Sequence, residues 1–204
     1  MRLIIISPPE EYPHEPRAVS RILQQSRATF HLRKPGCSLG ALSAYLQEIP
    51  AGLHGRIMVH GHPDLLDRFT IRGVHFKERQ RIADPLAVHR IHAARPPARI
   101  SSAFHRIADI PEADGSFDYV FLSPVFDSIS KPGYRAAFDR HELRRFLAST
   151  AQTVVALGGI DVQRVGEAAA LGFAGVAVLG AVWSEKDPEK AALELAAACR
   201  TVGS

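Results

Sequence analysis

Apolar residues in this chain gather in short runs. Each run ends at a polar or glycine break and is followed by a stretch of helical periodicity. The runs span residues 3–7, 29–33, 57–60, 73–76, 99–102, 119–122, 153–156 and 175–179. Most are rich in β-branched or aromatic residues and alternate little between apolar and polar, as strands covered on both faces do. Between them the spacing predicts helices over 16–26, 38–48, 63–69, 85–92, 140–148, 162–171 and 188–200, with a short piece near 106–110. The last has a clear start: Asp187 can cap it, Pro188 suits its first turn, and Glu189 complements the positive helix end. Its ALELAAACR segment reads as a packing face rather than a membrane anchor.

Strands that each lead into a helix, repeated eight times in 204 residues, predict a small (β/α)8 TIM barrel spanning residues 1–204 as a single domain. An open doubly wound sheet is the rival. No Gly-x-Gly-x-x-Gly follows the first strand, and the glycine-rich turns come late, at Gly158 and Gly159 and at Gly180. Barrels commonly hold phosphate in the loops after strands seven and eight, so this placement favours the barrel. The glycines let a ligand approach the backbone closely, and the unpaired amides of a following helix favour an anion. The alternative reading of either turn is a tight bend that needs glycine sterically.

In a barrel the strand ends share one face. They carry Ser7, His31, Arg33, His60, His62, His75, His105, then Ser128, Ser130 and Lys131, and last the glycine turns with Ala181. Such a cationic, hydroxyl-bearing rim suits an anionic ligand. Four of the ten histidines stand at or just beyond consecutive strand ends, where imidazoles could transfer protons, bind a transition metal, or serve structure alone. His75 lies within a buried-looking strand and reads as structural; His89 and His92 are helical and uninvolved.

Net charge is +4 with a pI near 9.3, but the charges are dispersed, with no Lys/Arg run and no aromatic nucleic-acid motif. That directs the excess toward a phosphorylated small molecule rather than nucleic acid. Cys37 and Cys199 form no CxxC, so neither a disulfide framework nor a zinc knuckle is expected. The opening MRLIIISPPE is apolar only over residues 3–6, too short for a signal-peptide core or a membrane span, so a cytoplasmic protein without a membrane partner is expected. A homodimer stays open.

The stretches HLRKPG, GVHF, DYVFLSPVFDSISKPGY, VVALGGI and GVAVLGAVW occur in the order found in the thiamine phosphate synthase and TenI-type thiazole tautomerase family, which this chain resembles over about residues 2–185. The resemblance implies a (β/α)8 barrel and a place in thiamine biosynthesis. A family synthase joins a hydroxymethylpyrimidine diphosphate to a thiazole phosphate and releases diphosphate, aided by magnesium and cationic side chains. On that pattern Ser128, Ser130 and Lys131 match two threonines and a lysine of the family's loop, and Arg33 matches the arginine of its LRxK stretch. Lys34 stands one place early and Pro35 holds the lysine position. The turns at Gly158, Gly159, Gly180 and Ala181 match the thiazole-phosphate cradle. The resemblance thus implies catalytic roles for Arg33 and Lys131 and substrate or phosphate binding by Lys34, Ser128, Ser130 and the glycine turns; the strand-end histidines add His60 and His105 as catalytic candidates and His31 as a substrate contact.

The chain departs from the family where Mg²⁺ is expected. The aspartate after strand three is replaced by Gly61, within His60–Gly61–His62, and the one after strand four by Gln80, within GVHFKERQ. With both acids gone a hard, oxygen-seeking ion has little to bind, and no residue is assigned as a metal ligand. Lys77, Arg79 and the histidines could supply the missing charge. The competing readings are a metal-free TenI-type tautomerase working by proton transfer, although Ser123 and Pro124 stand where that group carries its catalytic histidine, and a non-catalytic barrel that binds a thiamine precursor.

Overall fold

A computed structural model of the protein describes residues 1–110, 116–127 and 137–202. Eight parallel strands, β1 (Arg2–Ile6), β2 (Thr29–Leu32), β3 (Ile57–His60), β4 (Gly73–Phe76), β5 (Arg99–Phe104), β6 (Tyr119–Leu122), β7 (Val154–Leu157) and β8 (Gly175–Val178), pair in chain order. β8 returns to β1 with Ile5 opposite Val178, and the barrel is closed. The open-sheet rival is excluded by that pairing. Because every strand runs the same way, all eight carboxyl ends lie on one face, which is where barrels build their sites.

Residues alternate strictly between the two sides of the sheet although their polarity does not. Leu3, Ile5, Phe30, Leu32, Ile57, Val59, Val74, Val120, Leu122 and Val176 pack outward against the helices. Ile4, Ile6, Met58, Tyr119, Phe121, Val155 and Ala177 form a second apolar cluster, which fills the barrel.

Helical periodicity produces the outer layer. In α1 (Glu15–Gln25) the residues Ala18, Val19, Ile22 and Leu23 recur at three- and four-residue spacing and are buried. The others are α2 (Leu39–Gln47), α3 (Glu78–Ala83), α4 (Ala87–Ala94), α5 (Arg140–Ser149), α6 (Arg164–Leu171), α7 (Gly180–Trp183) and α8 (Pro188–Thr201). Asp139 caps α5 by accepting from the amides of His141 and Glu142; Asp187 caps α8 by accepting from that of Lys190. Gly172, at φ 105°, ends α6 in the left-handed conformation.

Four elements depart from the sequence expectation. The stretch 63–69 closes into a 3-10 helix, Pro63–Asp67, rather than an α-helix. α3 forms where a loop was expected, and Pro85 precedes α4 instead of starting it. α7 folds directly after β8, over residues where the sequence predicted a glycine turn and no helix. No helix among the described residues is long and apolar enough to cross a membrane.

Candidate active site

Ser7, one residue past β1, ties the first two loops together. Its hydroxyl donates to the carbonyl of Arg33 at 2.9 Å and accepts from the Arg33 amide at 2.7 Å. This holds the backbone that carries Arg33 at the carboxyl end of β2. Lys34, next along, is engaged elsewhere. Its ammonium donates to the carbonyls of Pro8 and Glu10, both at 2.8 Å, and to Glu15 Oε2 at 2.6 Å. All three donors are occupied, so the expectation that Lys34 grips a diphosphate gives way to a structural role.

Inside the mouth the polar residues form a connected set. His60, His75, Ser101 and Tyr119 are register partners on β3, β4, β5 and β6 in turn. His31 reaches across the barrel from β2. Its Nε2 lies 2.6 Å from the Tyr119 hydroxyl and its Nδ1 3.0 Å from His60 Nε2. His75 Nδ1 lies 2.9 Å from the Ser101 hydroxyl, and the rings of His60 and His75 stack with centroids 4.2 Å apart. Phe121 packs against both His31 and His75.

Burial decides the charge of these rings. His31 is fully buried and His75 is 2% exposed; His60 is half-buried and nearest the mouth. Loss of hydration holds His31 and His60 well below the ordinary imidazole range, with His75 repelling a second charge on each. The same desolvation, reinforced by the positive charges of Arg33 and Lys77, pushes His75 down to about 3. All three are neutral near pH 7. The expectation that His31 contacts substrate is corrected: no surface is left to it, and both ring nitrogens are engaged. His75 is buried, as its strand position implied, but it is part of the polar set. Tyr119 and Ser101 were missed because a hydroxyl within an otherwise apolar strand reads as core. The signal available was alternation: Tyr119 and Phe121 share the inward face.

His105, just past β5, is exposed, with Nδ1 3.0 Å from the Ser123 carbonyl. It stands on the rim, apart from the triad.

The two positions that carry acids in the family meet in space. A Cβ built on Gly61, whose φ is +73°, would lie 3.0 Å from the Gln80 side-chain nitrogen. Gln80 in turn accepts from the amide of Lys77 at 3.1 Å. An amide and a hydrogen stand where two carboxylates would be needed, and the neighbouring charges, Arg33 and Lys77, are positive. This donor set does not fit Mg²⁺.

The late turns adjoin, as β7 and β8 are neighbours. Gly158 and Gly159 have φ of +96° and +66°. A Cβ on Gly159 would lie 2.3 Å from the Asp127 carbonyl oxygen, so the backbone after β6 packs directly on this turn. Arg164 clamps the contact, donating to the carbonyls of Asp127 at 3.0 Å and Gly159 at 2.6 Å. After β8, the amides of Val182 and Trp183 bond back to Leu179, while those of Gly180 and Ala181 begin the helix and have no intrahelical acceptor. Ser128, Ser130 and Lys131 lie outside the described residues.

The sequence profile described as thiamine monophosphate synthase matches residues 3–182. The thiamine-phosphate synthase of Methanoculleus marisnigri is 30% identical over 165 residues, covering 80% of this chain and 76% of that protein. That of Limosilactobacillus fermentum is 25% identical over 199 residues, covering 92% and 91%. The solved thiamine phosphate pyrophosphorylase from Pyrococcus furiosus superposes with a TM-score of 0.81 over 100% of this chain and 97% of that one; at 21% identity this likeness speaks for the fold. The profile covers the barrel from its first strand through the turn after its eighth, and the chain belongs to the thiamine monophosphate synthase family.

Proposed function

We propose that the chain is a thiamine phosphate synthase-like transferase of thiamine biosynthesis that joins a hydroxymethylpyrimidine diphosphate to a thiazole phosphate. The observation that carries this is the family match across residues 3–182, which takes in both glycine turns and the cationic strand ends. The turns at Gly158, Gly159, Gly180 and Ala181 hold the thiazole phosphate by backbone amides. Arg33 and Lys77, with Lys131 from the stretch that follows β6 in the sequence, take the charge of the diphosphate. As the bond from the pyrimidine methylene to the diphosphate oxygen breaks, its electron pair leaves with the diphosphate. The thiazole nitrogen lone pair then forms the new carbon–nitrogen bond. Side-chain cations stabilise the departing charge, the largest electrostatic demand of the step. His105 and His60 border the reacting groups as hydrogen-bonding partners. Gly61 and Gln80 supply no carboxylate, so this enzyme turns over without the family's magnesium.

A second reading has one observation in its favour: His60 is a neutral imidazole at the mouth, hydrogen bonded to another neutral imidazole. Such a group can carry a proton between two positions of a thiazole carboxylate phosphate, the tautomerase reaction. Purified protein given both substrates, with and without Mg²⁺, separates these readings. The transferase releases diphosphate and forms thiamine phosphate in either buffer. Interconversion of thiazole isomers without the pyrimidine would replace it with the tautomerase. Binding of thiazole phosphate with neither turnover would leave a precursor-binding barrel and overturn both.

A further inference from the structure

We propose that His31, His60 and His75 form a binding site for one borderline transition-metal dication of the zinc class, distinct from the magnesium site the chain has lost. Each imidazole offers one nitrogen, and the three nitrogens lie within 4.8 Å of one another. A tetrahedral zinc centre with bonds of about 2.0–2.1 Å sets its ligand nitrogens about 3.4 Å apart, so ring shifts of about an ångström close the site. His60, the half-buried member, is the ring with room to move.

The surroundings have the form of a ligand shell. Metal-bound histidines are fixed by a partner on their second ring nitrogen, which sets the tautomer and orientation. Here the Tyr119 hydroxyl takes His31 Nε2, and Nδ1, which faces His60 Nε2 at 3.0 Å, becomes a ligand atom when the ion replaces the hydrogen shared between them. Ser101 takes His75 Nδ1 and leaves Nε2. Phe121 and Met58 supply the apolar wall that keeps bulk water away. Burial also keeps the rings in the neutral form that a metal requires. An all-nitrogen set selects zinc, cobalt or nickel over magnesium or calcium. Three ligands leave the fourth position open toward the mouth, the arrangement of sites that bind water or a substrate oxygen. Arg33 and Lys77 weigh against a dication there, and an anionic oxygen in the open position offsets them.

This inference stands apart from the proposed transferase, because its test reads ion binding and not turnover. Untagged protein is stripped with a chelator and titrated with zinc chloride by calorimetry and with cobalt(II) chloride by visible absorbance. The site takes one ion per chain, and cobalt gives the intense visible bands of a tetrahedral centre. Tyr119→Phe, which keeps the ring and removes the hydroxyl, weakens zinc about 10–100-fold. His60→Ala weakens it further, while circular dichroism verifies that the barrel is folded. His89→Ala, on the exposed side of α4, leaves affinity unchanged. Failure of the wild type to bind zinc or cobalt stoichiometrically would overturn the proposal, as would binding that survives His60→Ala undiminished.

Discussion

The ammonium of Lys34 and the carboxylate of Glu15 meet 2.6 Å apart with side-chain exposures of 9% and 2%. Burial pulls the Glu15 carboxyl above its usual range even though Lys34 and the Tyr45 hydroxyl, 2.8 Å from the other oxygen, oppose it. Removing one member of a buried pair strands the other, at about 3–5 kcal/mol. Lys34→Met is therefore expected to lower unfolding free energy in urea by about that much. Adding Glu15→Gln removes the stranded charge and restores more than half of the loss. Arg33→Ala behaves oppositely: stability changes by less than about 1 kcal/mol, while affinity for inorganic diphosphate falls. Adjacent in the sequence and alike in charge, these two residues were both readable as anion ligands. What separates them is Glu15, which is nineteen positions away in the chain and comes within reach only once α1 packs on the barrel.

At the scale of elements, the glycine turn after β7 and helix α6 make a paired test. Gly159→Ala forces a side chain into the left-handed region and against the Asp127 and Phe126 carbonyls, 2.3 and 2.7 Å from the new carbon. Strain and overpacking together cost about 3 kcal/mol or more. The turn moves, and affinity for inorganic phosphate, measured by calorimetry, drops with it. Gly166→Ala, at an exposed position of α6 with nothing within 4 Å of the new carbon, instead raises stability by about 0.5–1 kcal/mol. Equal effects at the two positions would remove the special role of the turn. Elements of this kind were legible where chemistry is local: all eight strands, the Asp187–Pro188 start of α8 and the paired glycines announce themselves in a few residues. α3 did not. Its six residues, ERQRIA, include three charges and a glutamine and bury no side chain, so there was no apolar face to read. α7 was hidden for the opposite reason, since GAVW continues the apolar run of β8 and only Gly180 marks the change.

For the whole molecule, the decisive feature is a barrel closed around polar groups that have given up water. Three imidazoles fill interior positions where the other strands place Ile4, Val155 and Ala177. The sequence put these histidines at strand ends, but closure alone brings β2 across to β6 and turns separate residues into one set. That closure fixes how stability responds to acid. In the folded chain His75 resists protonation down to about 3, against an ordinary value of 6.5. Below pH 6.5 the unfolded chain binds a proton at this residue and the folded chain does not. Protons then favour unfolding. Its contribution to stability is complete above pH 6.5 and declines as pH falls toward 3. Between pH 7.5 and pH 5 the difference is about 2 kcal/mol from His75 alone. His31 and His60 are shifted the same way by the same burial and add to it. Glu15, whose carboxyl is raised, works in the other direction: the folded chain protonates it above its ordinary value of 4.5, which offsets part of the loss toward the acid end. Urea unfolding of chelator-treated protein is therefore expected to lose at least about 2 kcal/mol from pH 7.5 to pH 5, and His75→Gln to recover about 2 kcal/mol of that slope. A wild-type stability that stays level across this window would mean the rings take up protons within the fold, and the neutral, water-excluded triad would be wrong.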